Sequence, residues 1–116
     1  MVLVDTSVWV DHFRRGLPEL AEQLDGGVVV CHPFVVGELA CGNLKNRRDN
    51  LDLLHTLCTC PVATHEEALD FIESNHLMGI GLGYIDVHLL ASAKLGGLPL
   101  WTLDRTLAAV AAWRNG

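Results

Sequence analysis

The sequence predicts an α/β protein, a three-layer α/β/α sandwich around a central, mainly parallel sheet of four or five strands. Three observations point there. The runs VLV at 2–4 and VVV at 28–30 are too short for helices and too uniformly apolar for half-exposed strands. Segments with apolar residues at helical spacing separate such runs, so strand and helix alternate, as parallel strands joined by crossover helices require. Finally, 116 residues, half of them hydrophobic, suffice for one buried core without disulfides. Residues 1–116 read as a single domain, with no linker, repeat or low-complexity stretch.

Taken in order, the strand Val2–Val4 runs into a helix that starts near Thr6 and bears Val8, Trp9, Asp11, His12 and Phe13. Pro18 suits the first turn of a second helical segment, with Leu20 and Leu24 on one side and Gly26-Gly27 as its stop. Val28–Val30 is the second buried strand, and His32-Pro33 restarts a helix ended by Gly42. Arg48–Leu57 reads as helix, and Cys58–Val62 as a weaker strand. Thr64 and Glu67 form a capping-box pattern that opens a helix to about His76. The GIGLG stretch at 79–83 is a loop. A helix from Tyr84 to Leu95 ends at Gly96-Gly97, Leu98–Thr102 is the last strand, and Leu107–Trp113 is the last helix.

Composition narrows the function classes. No lysine or arginine precedes the first apolar run, and no run approaches the roughly 18 residues of a membrane span, so a cytoplasmic protein is expected. Cys31, Cys41, Cys58 and Cys60 show no CxxC spacing and read as buried free thiols. The six histidines show no HxH or HExxH pattern and read as surface or packing residues. The formal charge of −6 argues against nucleic-acid binding by net charge alone, although a metal ion can reverse the sign of a local site.

The position of the acids is more telling. Asp5 follows the first strand and Asp104 stands two residues past Thr102, so both fall at carboxyl ends of parallel strands, where α/β sheets place their sites. Glu38 in FVVGELA and Asp86 in GYIDVHLLASA stand among apolar neighbours, and Asp86 shares a helical face with Leu89, Leu90 and Ala93. Each acid alone could be a helix cap or a hydrogen-bonded structural group. Nine others, among them Glu19, Asp25, Asp49 and Glu73, read as solvated surface, with Asp11 less decided. If the four converge, each pair of carboxylates about 4 Å apart repels by roughly 4 kcal/mol at an effective dielectric of 20. A divalent cation would relieve that repulsion. Oxygen-only ligands favour Mg²⁺ or Mn²⁺, and phosphodiester hydrolysis is the chemistry such a site supports.

Four stretches in register, VDTSVWVDHF, HPFVVGELACG, IGLGYIDVHLLASA and LWTLDRTL, resemble the PIN-domain family and more closely its VapC-type toxin branch. The resemblance runs from Val4 to Leu107. It places the family's acidic quartet on Asp5, Glu38, Asp86 and Asp104 and its accompanying hydroxyls on Thr6 and Thr102. It implies a Mg²⁺-dependent endoribonuclease (Mn²⁺ can substitute), the toxin of a type II toxin–antitoxin pair, cutting RNA with water activated at the metal. It further implies a homodimer and a VapB-like antitoxin whose tail occupies the acidic groove. The chain closes on AAVAAWRNG, where relatives often add a short strand.

Several features compete with this reading. Lys45, Arg47 and Arg48 form the one basic cluster, either a solvated turn or an RNA-phosphate contact, whereas Arg14 and Arg15 suit the end of a helix dipole. Gly79, Gly81 and Gly83 imitate a dinucleotide fingerprint but follow a helix, not a strand. Trp9, Trp101 and Trp113 read as core or dimer interface. Two other functions fit an acidic α/β pocket: a receiver-like phospho-acceptor domain and a catalytically silent module that binds a partner's arginine. The receiver needs a lysine just after a late strand, but Lys94 falls inside a helix.

Overall fold

The apolar run at the N-terminus is the middle of the sheet. In the computed structural model, which describes residues 1–114, β1 (Val2–Val4) lies between β2 (Val29–Cys31) and β4 (Leu100–Trp101). β3 (Cys58–Thr59) flanks β2. All pairings are parallel, with Leu3 opposite Val30 on one side and Leu100 on the other. Among the described residues the sheet therefore has four strands, and none of them runs antiparallel. Asn115 and Gly116, at the end where a further strand was in question, lie outside the described residues.

Leu3 and Val4 are fully buried because β1 is covered on both faces, which explains its unbroken apolar character. Four helices, α1 (Thr6–Arg15), α2 (Pro18–Asp25), α3 (Pro33–Cys41) and α4 (Arg47–Thr56), accompany the steps from β1 to β2 to β3. The chain then returns across the sheet through α5 (His65–Ser74) and α6 (Tyr84–Gly96) to β4, and α7 (Arg105–Arg114) follows. Right-handed crossovers in opposite directions place the two helix groups on opposite faces. The packing agrees: α1 touches α3, α3 touches α4, and α5 lies on α6. Trp9, Leu20, Leu54, Leu89, Leu90 and Leu107 fill the core between the layers.

Local chemistry sets the element ends. Pro18 and Pro33 occupy first turns, and Gly97 ends α6 in the left-handed conformation at φ 62°. The Thr64 hydroxyl accepts the Glu67 N–H at 3.1 Å while the Glu67 carboxylate accepts the Thr64 N–H at 2.9 Å, so the capping box opens α5 as expected. β3 and β4 are shorter than the sequence suggests. Pro61 and Pro99 flank them, and proline cannot donate to a ladder. α7 starts at Arg105, two residues before the expected Leu107, because Asp104 caps it. Cys31 and Cys60 are buried free thiols, whereas Cys41 and Cys58 are exposed at a helix end and on the edge strand. Among the described residues no helix is long and apolar enough to cross a membrane.

Candidate active site

The order β3-β2-β1-β4 changes direction between β1 and β4, because β1 connects outward on one side and β4 arrives last on the other. The crevice at the carboxyl ends of such a pair is where open α/β sheets bind ligands. Asp5 and Thr102 are the residues that leave β1 and β4 there, and the Asp5 N–H continues the ladder to the Trp101 carbonyl at 2.9 Å. Asp5 is 6% exposed, so its carboxylate needs partners. The Ser7 and Thr102 hydroxyls both donate to Oδ2 at 2.7 Å. Ser7 Oγ in turn accepts the Leu103 N–H at 3.0 Å, and Thr102 Oγ1 accepts the Asp104 N–H at 3.0 Å. These bonds stitch the start of α1 to the turn that delivers Asp104.

The other three acids come from α3, α6 and the turn after β4. Glu38 projects from α3, and its Oε1 accepts the Thr6 hydroxyl at 2.6 Å, which ties α3 to the first residue of α1. Glu38 is exposed on its helix, not packed among the apolar residues that surround it in sequence. Asp86 is half-buried and sits in the first turn of α6, not mid-helix, where its Oδ2 accepts the Gly83 N–H at 2.9 Å. Asp104 Oδ1 accepts the Leu107 N–H at 2.9 Å, so this acid does serve as a helix cap.

Partial burial pushes the Asp86 carboxyl above the ordinary carboxylate range. The Gly83 N–H opposes that rise, and the negative charges of Asp5 and Asp104 add to it. Three acids far apart in sequence thus feel one another's fields, and Thr6 joins Glu38 to the same corner. Each carboxylate commits one oxygen to the hydrogen bonds above. Its second oxygen has no hydrogen-bond partner among the described residues. The donors are all hard oxygens and unneutralised, a set that fits Mg²⁺ or Mn²⁺ chemically. Among the described residues no three His, Cys, Asp or Glu side chains already close into a metal-holding group.

The basic residues divide differently from the sequence grouping. Arg47 turns back on the chain, its guanidinium donating to the Ala40 carbonyl at 2.7 Å and the Gly42 carbonyl at 3.3 Å. Lys45 and Arg48 are exposed. Arg15 pairs bidentately with Asp11, both bonds 2.8 Å, and this pair holds the Asp11 carboxyl below its usual range.

Two features escaped the sequence reading. Ser7 holds Asp5 as closely as Thr102 does, and the signal available was a hydroxyl two residues after a strand-terminal acid. His32 and His88 are buried on facing elements with ring centroids 6.1 Å apart, where periodicity alone could not distinguish them from surface histidines.

Comparison with known proteins gives consistent results. A model of the PIN domain matches residues 2–112. Ribonuclease VapC32 of Mycobacterium tuberculosis, in strains CDC 1551 / Oshkosh and ATCC 25618 / H37Rv, is 47% identical over 113 residues. That alignment covers 97% of this chain and 91% of the relative. The crystal structure of PAE2754 from Pyrobaculum aerophilum superposes with a TM-score of 0.67 at 18% identity, covering 94% of this chain and 78% of that one.

Proposed function

The chain belongs to the PIN-domain family, and from that membership we propose that it is a VapC-type endoribonuclease, the toxin of a toxin–antitoxin pair. Asp5, Glu38, Asp86 and Asp104 form its metal-binding rim. The observation that supports the site most strongly is the convergence of Asp5, Asp86 and Asp104, drawn from β1, α6 and the turn after β4, into one unneutralised field. The likeness to a ribonuclease over nearly the full chain supports RNA as the substrate. The receiver alternative fails on the placement of Lys94, which lies inside α6 with its ammonium 5.9 Å from the Phe71 ring centroid.

Mechanistically, Asp5, Glu38, Asp86 and Asp104 would hold Mg²⁺ or Mn²⁺, which would supply charge to offset phosphate and acidify water for phosphodiester hydrolysis. The chain's own residues fix the geometry. Ser7 and Thr102 pin Oδ2 of Asp5 and leave Oδ1 without a protein donor among the described residues. Thr6 holds the Glu38 carboxylate, and the Gly83 N–H restrains the Asp86 side chain. Hydroxyl and amide donors orient the carboxylates without cancelling their charge, as donors behind metal ligands commonly do. A VapB-like antitoxin tail covering this groove, a homodimer and a cytoplasmic setting complete the reading.

Asp5→Asn tests it. The amide keeps the size of the side chain and one acceptor oxygen, so the fold survives while the negative ligand is lost. RNA cleavage in Mg²⁺ should disappear with thermal unfolding little changed. Cleavage at the wild-type rate would remove Asp5, and the mechanism with it.

A further inference from the structure

Beside Glu38 the surface sinks into a cleft of about 410 Å³, bounded by the end of α1, by α3 and by the loop after Gly42. Its lining changes sign. Glu38 stands on it with Arg14 and Lys45, and Phe13 and Leu44 supply apolar wall. We propose that this cleft is a nucleotide subsite, in which Arg14 and Lys45 hold phosphates next to the scissile bond and the Phe13 ring receives a neighbouring base. The inference rests on the RNA-cleaving reading above and extends it to how the strand is held.

Three observations support it. A phosphodiester chain cannot approach four carboxylates in a protein of charge −6 unless cations lie along its path. Arg15 and Arg47 are engaged with Asp11 and with helix-end carbonyls, while Arg14 and Lys45 are exposed, belong to no ion pair among the described residues and meet in the cleft. Next, the cleft is already shaped. Arg47 clamps the carbonyls that start the loop, Asn50 donates to the Lys45 carbonyl at 2.6 Å, and Asn46 turns the chain at φ 47°. Phe13 lines the cleft, is partly buried and stacks on the fully buried Trp9, with centroids 5.6 Å apart and planes 26° from parallel, so its ring is held in place. Lastly, single-stranded nucleic acid is gripped by this combination, cations on the backbone and an aromatic face under a base. The volume lies within the roughly 300–1,000 Å³ usual for small-ligand sites.

The test measures binding apart from cleavage. A short fluorescein-labelled single-stranded oligoribonucleotide of mixed sequence is titrated in EDTA at several salt concentrations and read by fluorescence anisotropy. Each phosphate contact on a single strand contributes about 0.7 to the slope of log affinity against log salt, so Arg14→Gln/Lys45→Gln should lower the slope by about 1.4. Binding at low salt should weaken roughly ten-fold or more, with unchanged thermal unfolding. Asp5→Asn should keep the wild-type slope while losing cleavage, which separates failure of the cleft from failure of the catalytic reading. An unchanged slope in the double variant, or no measurable binding by the wild type at low salt, overturns the proposal. Unchanged RNA binding with loss of a co-expressed protein partner would assign the cleft to that partner instead, and overturns it equally.

Discussion

Acidification should weaken this fold through its buried imidazoles, and the size of the loss can be worked out for His32. His32 caps α3 and is fully buried, with Nδ1 accepting the Phe34 N–H at 2.9 Å. The ring is therefore neutral with its proton on Nε2, an atom buried without a partner. Protonating Nδ1 would destroy the cap and leave a charge in the core. Burial, reinforced by His88, lowers the His32 pKa from 6.5 to about 4. Between those values the unfolded chain binds a proton that the folded chain does not, so stability is intact above pH 6.5, falls as pH drops through the window and levels off below about 4. At about 1.4 kcal/mol per pKa unit, the loss relative to pH 7 is about 2 kcal/mol at pH 5 and about 3 kcal/mol at pH 4. Urea unfolding of the wild type and His32→Asn across this range measures it. Asparagine can still cap Phe34 but does not titrate, and its smaller volume should make the variant less stable at pH 7. The gap should then narrow by about 2 kcal/mol by pH 5. Asp11, Glu67 and Asp86, whose carboxyls are also shifted, and His88, whose pKa burial likewise lowers, titrate in both proteins and cancel in the comparison. Two stability curves running parallel from pH 7 to 5 would refute the argument.

The remaining predictions concern the site. Ser7→Ala removes a 2.7 Å bond to Asp5 and the acceptor of the Leu103 N–H, so it should cost about 1–2 kcal/mol of stability. RNA cleavage should fall roughly ten- to a hundred-fold, and an unaltered initial rate would deny Ser7 any positioning role. Glu38→Gln keeps an oxygen for the Thr6 hydroxyl but loses the charge, so calorimetric titration with Mn²⁺ should show affinity reduced by roughly ten-fold or more. Identical isotherms for variant and wild type would place Glu38 outside the metal rim. Loss of cleavage in Asp5→Asn and the reduced salt slope of the cleft variant, argued above, complete the set.

What could be read from the sequence depended on whether a signal was local. The strand at Val2–Val4 and the capping box at Thr64 announce themselves within a few residues, and both stand close to where they were expected. Asp5 and Asp104 are legible because a strand end is a place in the fold as well as in the chain. The exposure of Glu38 is not, since FVVGELA looks apolar throughout and only the packing of α3 decides which side faces solvent. Asp86 was read by the apolar face it shares, whereas its position in the first turn lets it take an amide bond from Gly83 instead. The role of Arg47 is invisible in one dimension, because the carbonyls it reaches, of Ala40 and Gly42, come into range only when the loop folds back. His32 and His88 show the same limit, as two rings from different elements whose burial is a property of the assembled core.

The partners chosen by the four acids explain why this corner stays charged. An arginine or lysine beside Asp5 or Asp86 would hold the carboxylate equally well and would neutralise it. Among the described residues the ion pair is Arg15 with Asp11, in the second half of α1, and it includes none of the four acids. The acids themselves are held by the hydroxyls of Thr6, Ser7 and Thr102 and by the amides of Gly83 and Leu107. Such donors fix direction and leave the mutual repulsion in place, and the charges of Asp5 and Asp104 add to the rise that burial gives the Asp86 carboxyl. Repulsion retained in the folded state lowers its stability, and no packing gain at the crevice requires it. A cation bound across these acids would relieve it, so under the proposed reading the arrangement that weakens the free protein would favour binding of a divalent ion.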